Sequence, residues 1–169
     1  MKLMPKIVDV LLKVFNHEAA NARVVLKAAK GMDLSFVPKD GMRSMKVLAN
    51  HLAQIPSLDP AMYCQEIKSI EEAAATEKKL TRDSVDQMLK LFDEGVKKVN
   101  ARFTNMPDEE LLRDQLHPCY DQGPPKSWAH YFPELTIHMA MHKMQLWMYL
   151  KLAGADVDMM TYYGVEKKK

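Results

Sequence analysis

Leu135-Thr136-Ile137-His138-Met139-Ala140-Met141-His142-Lys143-Met144-Gln145-Leu146-Trp147-Met148-Tyr149-Leu150-Lys151-Leu152-Ala153 runs without a proline or a glycine and is followed by Gly154. The absence of breakers and the density of helix formers predict one long helix from about Glu134 to Ala153, with Gly154 just past its end. Leu135, His138, His142, Leu146 and Tyr149 share one face. Ile137, Met139, Met141, Met144, Trp147, Met148 and Leu150 spread over the others. A helix that is apolar nearly all round is covered on more than one side. In a small all-helical protein that implies a bundle, with a surface left for a second copy, so a homodimer is expected with this helix or its neighbour near the interface.

Working outward, helix one spans about Pro5 to Lys30, with Ile7, Leu11, Val14, Phe15, Ala22, Val25, Leu26 and Ala29 at helical spacing and Gly31 as its stop. Helix two begins near Ser44 and is expected to end before Pro56. Met45, Leu48, Leu52 and Ile55 form its apolar stripe, and His51 falls within that stripe. Within Pro60 to Lys79, Glu66 to Lys78 has good helix formers but a weak apolar face, which predicts a mobile or surface helix. Thr81 reads as an N-cap for helix three, which runs to about Phe103 through Val85, Met88, Leu89, Phe92, Val96 and Val99. Pro107-Asp108-Glu109-Glu110 opens a short helical turn. Leu116 to Pro133, rich in proline, reads as a long connection pinned by Trp128, Tyr131 and Phe132. The expectation is a single all-α domain over residues 1–169: an antiparallel four-helix bundle with a short extra helical segment and a long loop before the last helix.

The 169 residues are 47% hydrophobic and 27% charged, with a formal net charge of +2. That balance argues against a nucleic-acid partner, which usually leaves a basic face, and Lys167-Lys168-Lys169 reads as a solubilising end. No stretch is free enough of charge to span a membrane, and the N-terminus reads as an amphipathic helix, not a signal peptide. Two cysteines, Cys64 and Cys119, are too few for a disulfide framework, and a reducing cytoplasm is expected. The 14 methionines suit core filling in a helical protein, with a plastic ligand pocket as the less favoured reading.

His138 and His142 are one helical turn apart, so their imidazoles project one above the other, as a helix does when it offers two nitrogens to one metal ion. If the helix carrying His51 faces them, the chain holds a three-histidine site. Three imidazoles without a fourth protein ligand leave positions open for water or substrate, the pattern of a catalytic rather than a structural centre. Imidazole suits zinc, nickel, copper and iron. Gln145, one turn beyond His142, is placed to face the pocket. The competing reading is three hydrogen-bonded core histidines. His17, His117 and His130 have no apolar-face partner and read as surface or loop residues. Cys64 and Cys119 show no neighbouring base or cation at helical spacing.

With these residues in view, the chain resembles the DinB/YfiT-like family of metal-dependent enzymes, unrelated to the DNA polymerase of similar name. Pro38 to Met45 followed by Asn50-His51-Leu52-Ala53 is similar to the family's entry into helix two with its single ligand histidine. His138 to Leu146 is similar to its His-x-x-x-His segment, and Leu150-Lys151-Leu152-Ala153-Gly154 with Tyr163-Gly164 to its ending. Where many members carry His-Arg-Gly-Gln, this chain has His142-Lys143-Met144-Gln145. The resemblance implies a divalent ion (zinc or nickel, with iron or manganese as alternatives) on His51, His138 and His142, often in a dimer. It also implies a small-molecule substrate and an S-transferase that uses a low-molecular-weight thiol. A metal-dependent hydrolase, or a non-enzymatic stress-related bundle holding metal or ligand, are the alternatives.

Overall fold

The computed structural model describes residues 6–166; Pro5 and the Lys167-Lys168-Lys169 end lie outside the described residues. Among these residues seven helices follow one another: α1 (Ile7–Ala28), α2 (Met45–Tyr63), α3 (Ile70–Leu80), α4 (Val85–Phe103), α5 (Asp108–Leu111), α6 (Trp128–Leu152) and α7 (Met159–Tyr162). Among the described residues there is no strand, only an isolated bridge between Leu116 and Lys126. The long helices pack on one another, α2 against both α4 and α6, and α1 against both α6 and α4. The shared core includes Phe15, Leu26, Leu48, Leu52, Phe92, Phe103, Phe132 and Leu146. Of the short helices, α3 and α5 fall where the sequence suggests a surface helix and a helical turn, and α7 is an addition to that reading.

The helix boundaries differ from expectation where prolines read as stops. Helix α2 continues through Pro56 and Pro60 to Tyr63. A proline inside a helix withdraws one N–H and crowds the preceding turn, at a cost of about 3 kcal/mol. Burial offsets that cost, since Pro56, Leu58, Asp59, Pro60 and Tyr63 are all buried. Gly95 of α4 makes the close fit, because a Cβ there would stand 2.7 Å from Ser57 Oγ and 2.9 Å from Pro56 Cβ. Helix α6 likewise begins at Trp128 and passes through Pro133. Trp128, Tyr131 and Phe132 are therefore its buried first turns, not pins on a loop. The connection before α6 ends at Ser127 and is held together by Asp121, which accepts from Lys126 Nζ, Tyr131 Oη and the Gly123 amide. Those three donors hold the Asp121 carboxyl well below the ordinary range.

Capping corrects a further boundary. Thr81 closes α3, and Ser84 opens α4 with a reciprocal capping box to Gln87. Helix α3 is a surface helix, as its weak apolar face implies, with no buried residue. Past α6, Gly154 adopts φ +80 and the Gly154 and Ala155 amides donate back to Lys151 and Leu150, which closes the helix as the glycine's position suggests.

Candidate metal centre

Helix α2 brings His51, and α6 brings His138 and His142, to one place: each ring offers a nitrogen, and the three lie within 4.8 Å of one another. His51 Nε2 and His138 Nε2 are 3.3 Å apart. Two nitrogens on a tetrahedral ion at about 2.0–2.1 Å are separated by about 3.3–3.4 Å, so this spacing is the edge such an ion requires. Without an ion, the same contact can be a hydrogen bond only when one of the two rings carries a second proton, on Nε2.

Each Nδ1 is held from outside. His51 Nδ1 lies 3.2 Å from Glu77 Oε1 of α3, His138 Nδ1 2.7 Å from Asp59 Oδ2 of α2, and His142 Nδ1 2.8 Å from Gln145 Oε1 of α6. Carboxylate and amide oxygens accept only, so the proton sits on Nδ1 and the Nε2 lone pair is left free. Three rings oriented this way are the arrangement that presents neutral imidazole to a metal. The donor set therefore fits a divalent ion, and Gln145 serves it as an orienting residue behind His142.

The site is more open than three inward-facing histidines suggest. His142 is buried, but the His51 and His138 side chains remain 19% and 27% exposed. That opening is what a substrate would need. Beside His138 lies a cavity of about 260 Å³ walled by Asp59, Met62, Tyr63, Tyr120, Glu134 and Met141. Tyr120 Oη donates to Glu134 Oε1 at 3.3 Å on its rim.

The electrostatics differ along the site. Burial is the largest influence on His142 and pushes its pKa down to about 4, with His51, His138 and the Arg43 guanidinium adding repulsion and Gln145 opposing. Burial also lowers His51, with Glu77 opposing and His138 and Arg43 reinforcing. Burial works against the charged form of His138 as well, but the Asp59 hydrogen bond and charge, helped by Glu134, outweigh it and raise the pKa. The structure thus carries a cation at the His142 end and two carboxylates at the His138 end. Tyr149 Oη donates to the Arg43 carbonyl at 3.2 Å and steadies that turn.

Asp59 is not legible in the sequence because Pro56 reads as the end of helix two, and Glu77 is not because nothing in α3 marks it out. A helix that runs on past Pro56 puts Asp59 two turns beyond His51 on a neighbouring face. The remaining histidines stay apart from the site. His17 is exposed beside Asn21, His117 is half-buried in the loop, and His130 lies on α6, not in a loop, 3.5 Å from Glu134. Cys64 does have a cation neighbour, supplied from α4: Arg102 Nη1 donates to its sulfur at 2.7 Å. Burial nevertheless pushes the Cys64 thiol up, with Arg102 offsetting only part of it. Lys143, one residue past His142, points away from the centre. It is 2% exposed, 2.7 Å from Glu18 of α1, and its Nζ lies 3.9 Å from the Tyr162 ring centroid.

No family model matches the chain, and no curated protein matches its sequence. A solved structure does: a protein described as belonging to the DinB family, from Exiguobacterium sibiricum, superposes with a TM-score of 0.72 over 92% of this chain and 97% of that one, at 20% identity. The fold is DinB-like. The all-helical, DinB-like fold implied by the sequence resemblance is thus the one observed, and it brings His51, His138 and His142 into one cluster that could hold a metal ion. Among the described residues no helix of this DinB-like chain is long and apolar enough to cross a membrane.

Proposed function

We propose that this chain is a divalent-metal-dependent enzyme whose zinc or nickel ion sits on His51, His138 and His142, and that it transfers a group to a low-molecular-weight thiol. The observation that carries the reading is the set of three Nδ1 contacts, each turning a free Nε2 toward a common centre. A bound divalent ion would supply Lewis acidity, lowering the pKa of a thiol or water beside it. The chain does the rest. Asp59, Glu77 and Gln145 fix the ring tautomers, the half-open rim admits solvent-borne reactants, and the cavity beside His138 accepts a small electrophile. Metal-dependent hydrolysis uses the same residues, with water replacing the thiol.

The four long helices are proposed to act as an antiparallel bundle that dimerises. Ile137, Met141, Met144, Met148 and Leu152 form an exposed apolar stripe along α6, at spacing suited to a second helix. The two free cysteines suit a reducing, cytoplasmic setting.

The test is metal content by plasma mass spectrometry on untagged protein, beside a His138→Ala, His142→Ala variant. Near-stoichiometric metal in the parent, lost from a folded variant, supports the centre. A cobalt-substituted protein whose spectrum shifts on adding a thiol then favours transfer over hydrolysis. A parent that takes up neither zinc nor nickel refutes the enzyme.

A further inference from the structure

Helix α3 has an unusual place in this molecule. It is eleven residues long and none of them is buried. A helix that short is marginal by itself and normally depends on a packed apolar face, of which α3 has little: half-buried Ala73, and Leu80 against the core. Its two ends are anchored. On the N-terminal side Ile67 is buried, and on the C-terminal side Arg82 is tied to Asn50 of α2 by a pair of bonds: its amide donates to Oδ1 at 2.6 Å and its carbonyl accepts from Nδ2 at 3.0 Å. Between those anchors Ala73, Thr76, Glu77 and Leu80 form a half-buried face, and the side-chain hydrogen bonds between α3 and α2 run through Glu77. Its carboxylate accepts from His51 Nδ1 at 3.2 Å, and its carbonyl accepts from Gln54 Nε2 at 3.0 Å.

The docking is imperfect. Gln54 is 1% exposed, yet its Oε1 has no hydrogen-bond partner among the described residues. Between α2 and α3 a cavity of about 340 Å³ remains, with Val47, Gln54, Ala74 and Glu77 on its walls. The helix is thus held in part by a polar contact to a candidate ligand histidine, beside a gap.

We infer that Glu77 is a positioning residue for His51 and that α3 is a metal-responsive lid, docked when His51 Nε2 holds an ion and loosened when it does not. The reasoning rests on the three-histidine metal reading. An ion on Nε2 fixes the Nδ1–H tautomer and polarises that proton, which strengthens the bond to Glu77. Glu77 in turn raises the basicity of Nε2. The two equilibria are linked, so the factor by which closed α3 tightens metal binding equals the factor by which metal favours closure. Outer residues of this kind are worth about 10–100-fold in affinity.

The experiment is amide hydrogen exchange across Ile70–Leu80, with and without saturating zinc, alongside zinc affinity from chelator competition. In the wild type, zinc slows exchange in α3 by about 10–100-fold relative to the core amides of α4. In Glu77→Ala, zinc binds more weakly by a similar factor, and α3 exchanges at the same rate with and without the ion, while circular dichroism and α4 exchange are unchanged. In Gln145→Ala, zinc also binds more weakly, but at saturation α3 still slows. Stoichiometric zinc with no change in α3 overturns the lid and leaves the metal centre standing. So does a Glu77→Ala protein that keeps the full response. A wild type that binds no zinc overturns the centre, and the lid with it.

Discussion

Replacing Asp59 by asparagine tests the least exposed contact of the site. The side chain keeps its shape and can still accept from His138 Nδ1, so the fold is retained and the change is one of charge. Asp59 Oδ2 is 2.7 Å from that nitrogen and its side chain is 3% exposed, whereas the His138 ring is 27% exposed. Outer carboxylates of this kind are worth about 10–100-fold in metal affinity. The half-open ring argues for the lower end, so Asp59→Asn is expected to weaken zinc by about tenfold, or ~1.4 kcal/mol. The pH dependence is more diagnostic. Asp59 holds the His138 pKa above its usual value, so in the wild type protons compete with metal near neutrality. Without that charge, burial acts unopposed by Asp59 and the competition moves to lower pH. Zinc affinity of the variant should therefore fall less between about pH 8 and pH 6 than that of the wild type, measured by chelator competition. The metal-free protein gives the complementary sign. A raised folded pKa contributes stability that is present below the unfolded value of about 6.5 and is lost as pH rises through the folded value. Asp59→Asn should thus destabilise the metal-free protein more at about pH 5.5 than at about pH 8.5 by denaturant titration. Equal destabilisation at both, with an unchanged affinity profile, would refute the role given to Asp59.

Gly95→Ala places a methyl 2.7 Å from Ser57 Oγ and 3.2 Å from the Pro56 carbonyl carbon, where backbone must move; a loss of about 1–3 kcal/mol is expected, seen as a lower midpoint in urea. Lys143→Met strands Glu18, which is 16% exposed, so it should cost about 3 kcal/mol, while Lys143→Met with Glu18→Gln recovers much of the loss in a double-mutant cycle. Burial of neutral His142 makes the metal-free protein acid-labile: its folded pKa of about 4 lies below the unfolded value, so stability is lost as pH falls from about 6.5 toward 4, by on the order of 1–2 kcal/mol after allowance for solvent screening. His142→Phe should flatten that part of the acid melting profile.

What can be read from the chain follows from how its physics is distributed. The helical periods of α1, α4 and α6 are local properties of side-chain order, and Gly154 and the Asp108 turn carry their own backbone chemistry, so these are legible. The two histidines of α6 are neighbours by helical geometry, and His51 lies in the apolar stripe of α2, so the order of residues alone points to the trio. Asp59 and Glu77 are different. Proline is a helix breaker by local rule, and only tertiary burial against Gly95 carries α2 past Pro56 to Asp59. Glu77 is one of several charged residues on a helix with a weak apolar face, and its partner is 26 positions away. The pairing of Arg102 with Cys64 and the burial of Lys143 are hidden for the same reason: each depends on which helix stands opposite.

His51 and His138 meet across a separation of 87 positions. An ion shared by them would join two distant points of the chain, as a disulfide does. A cross-link of that span removes about 4–5 kcal/mol of loop freedom from the unfolded chain in the entropy model. The centre would then be part of the architecture as well as of the chemistry. Residues that hold the ion would also keep the helices registered, and a substitution that empties the centre would appear first as a protein that is slow to mature or quick to be degraded.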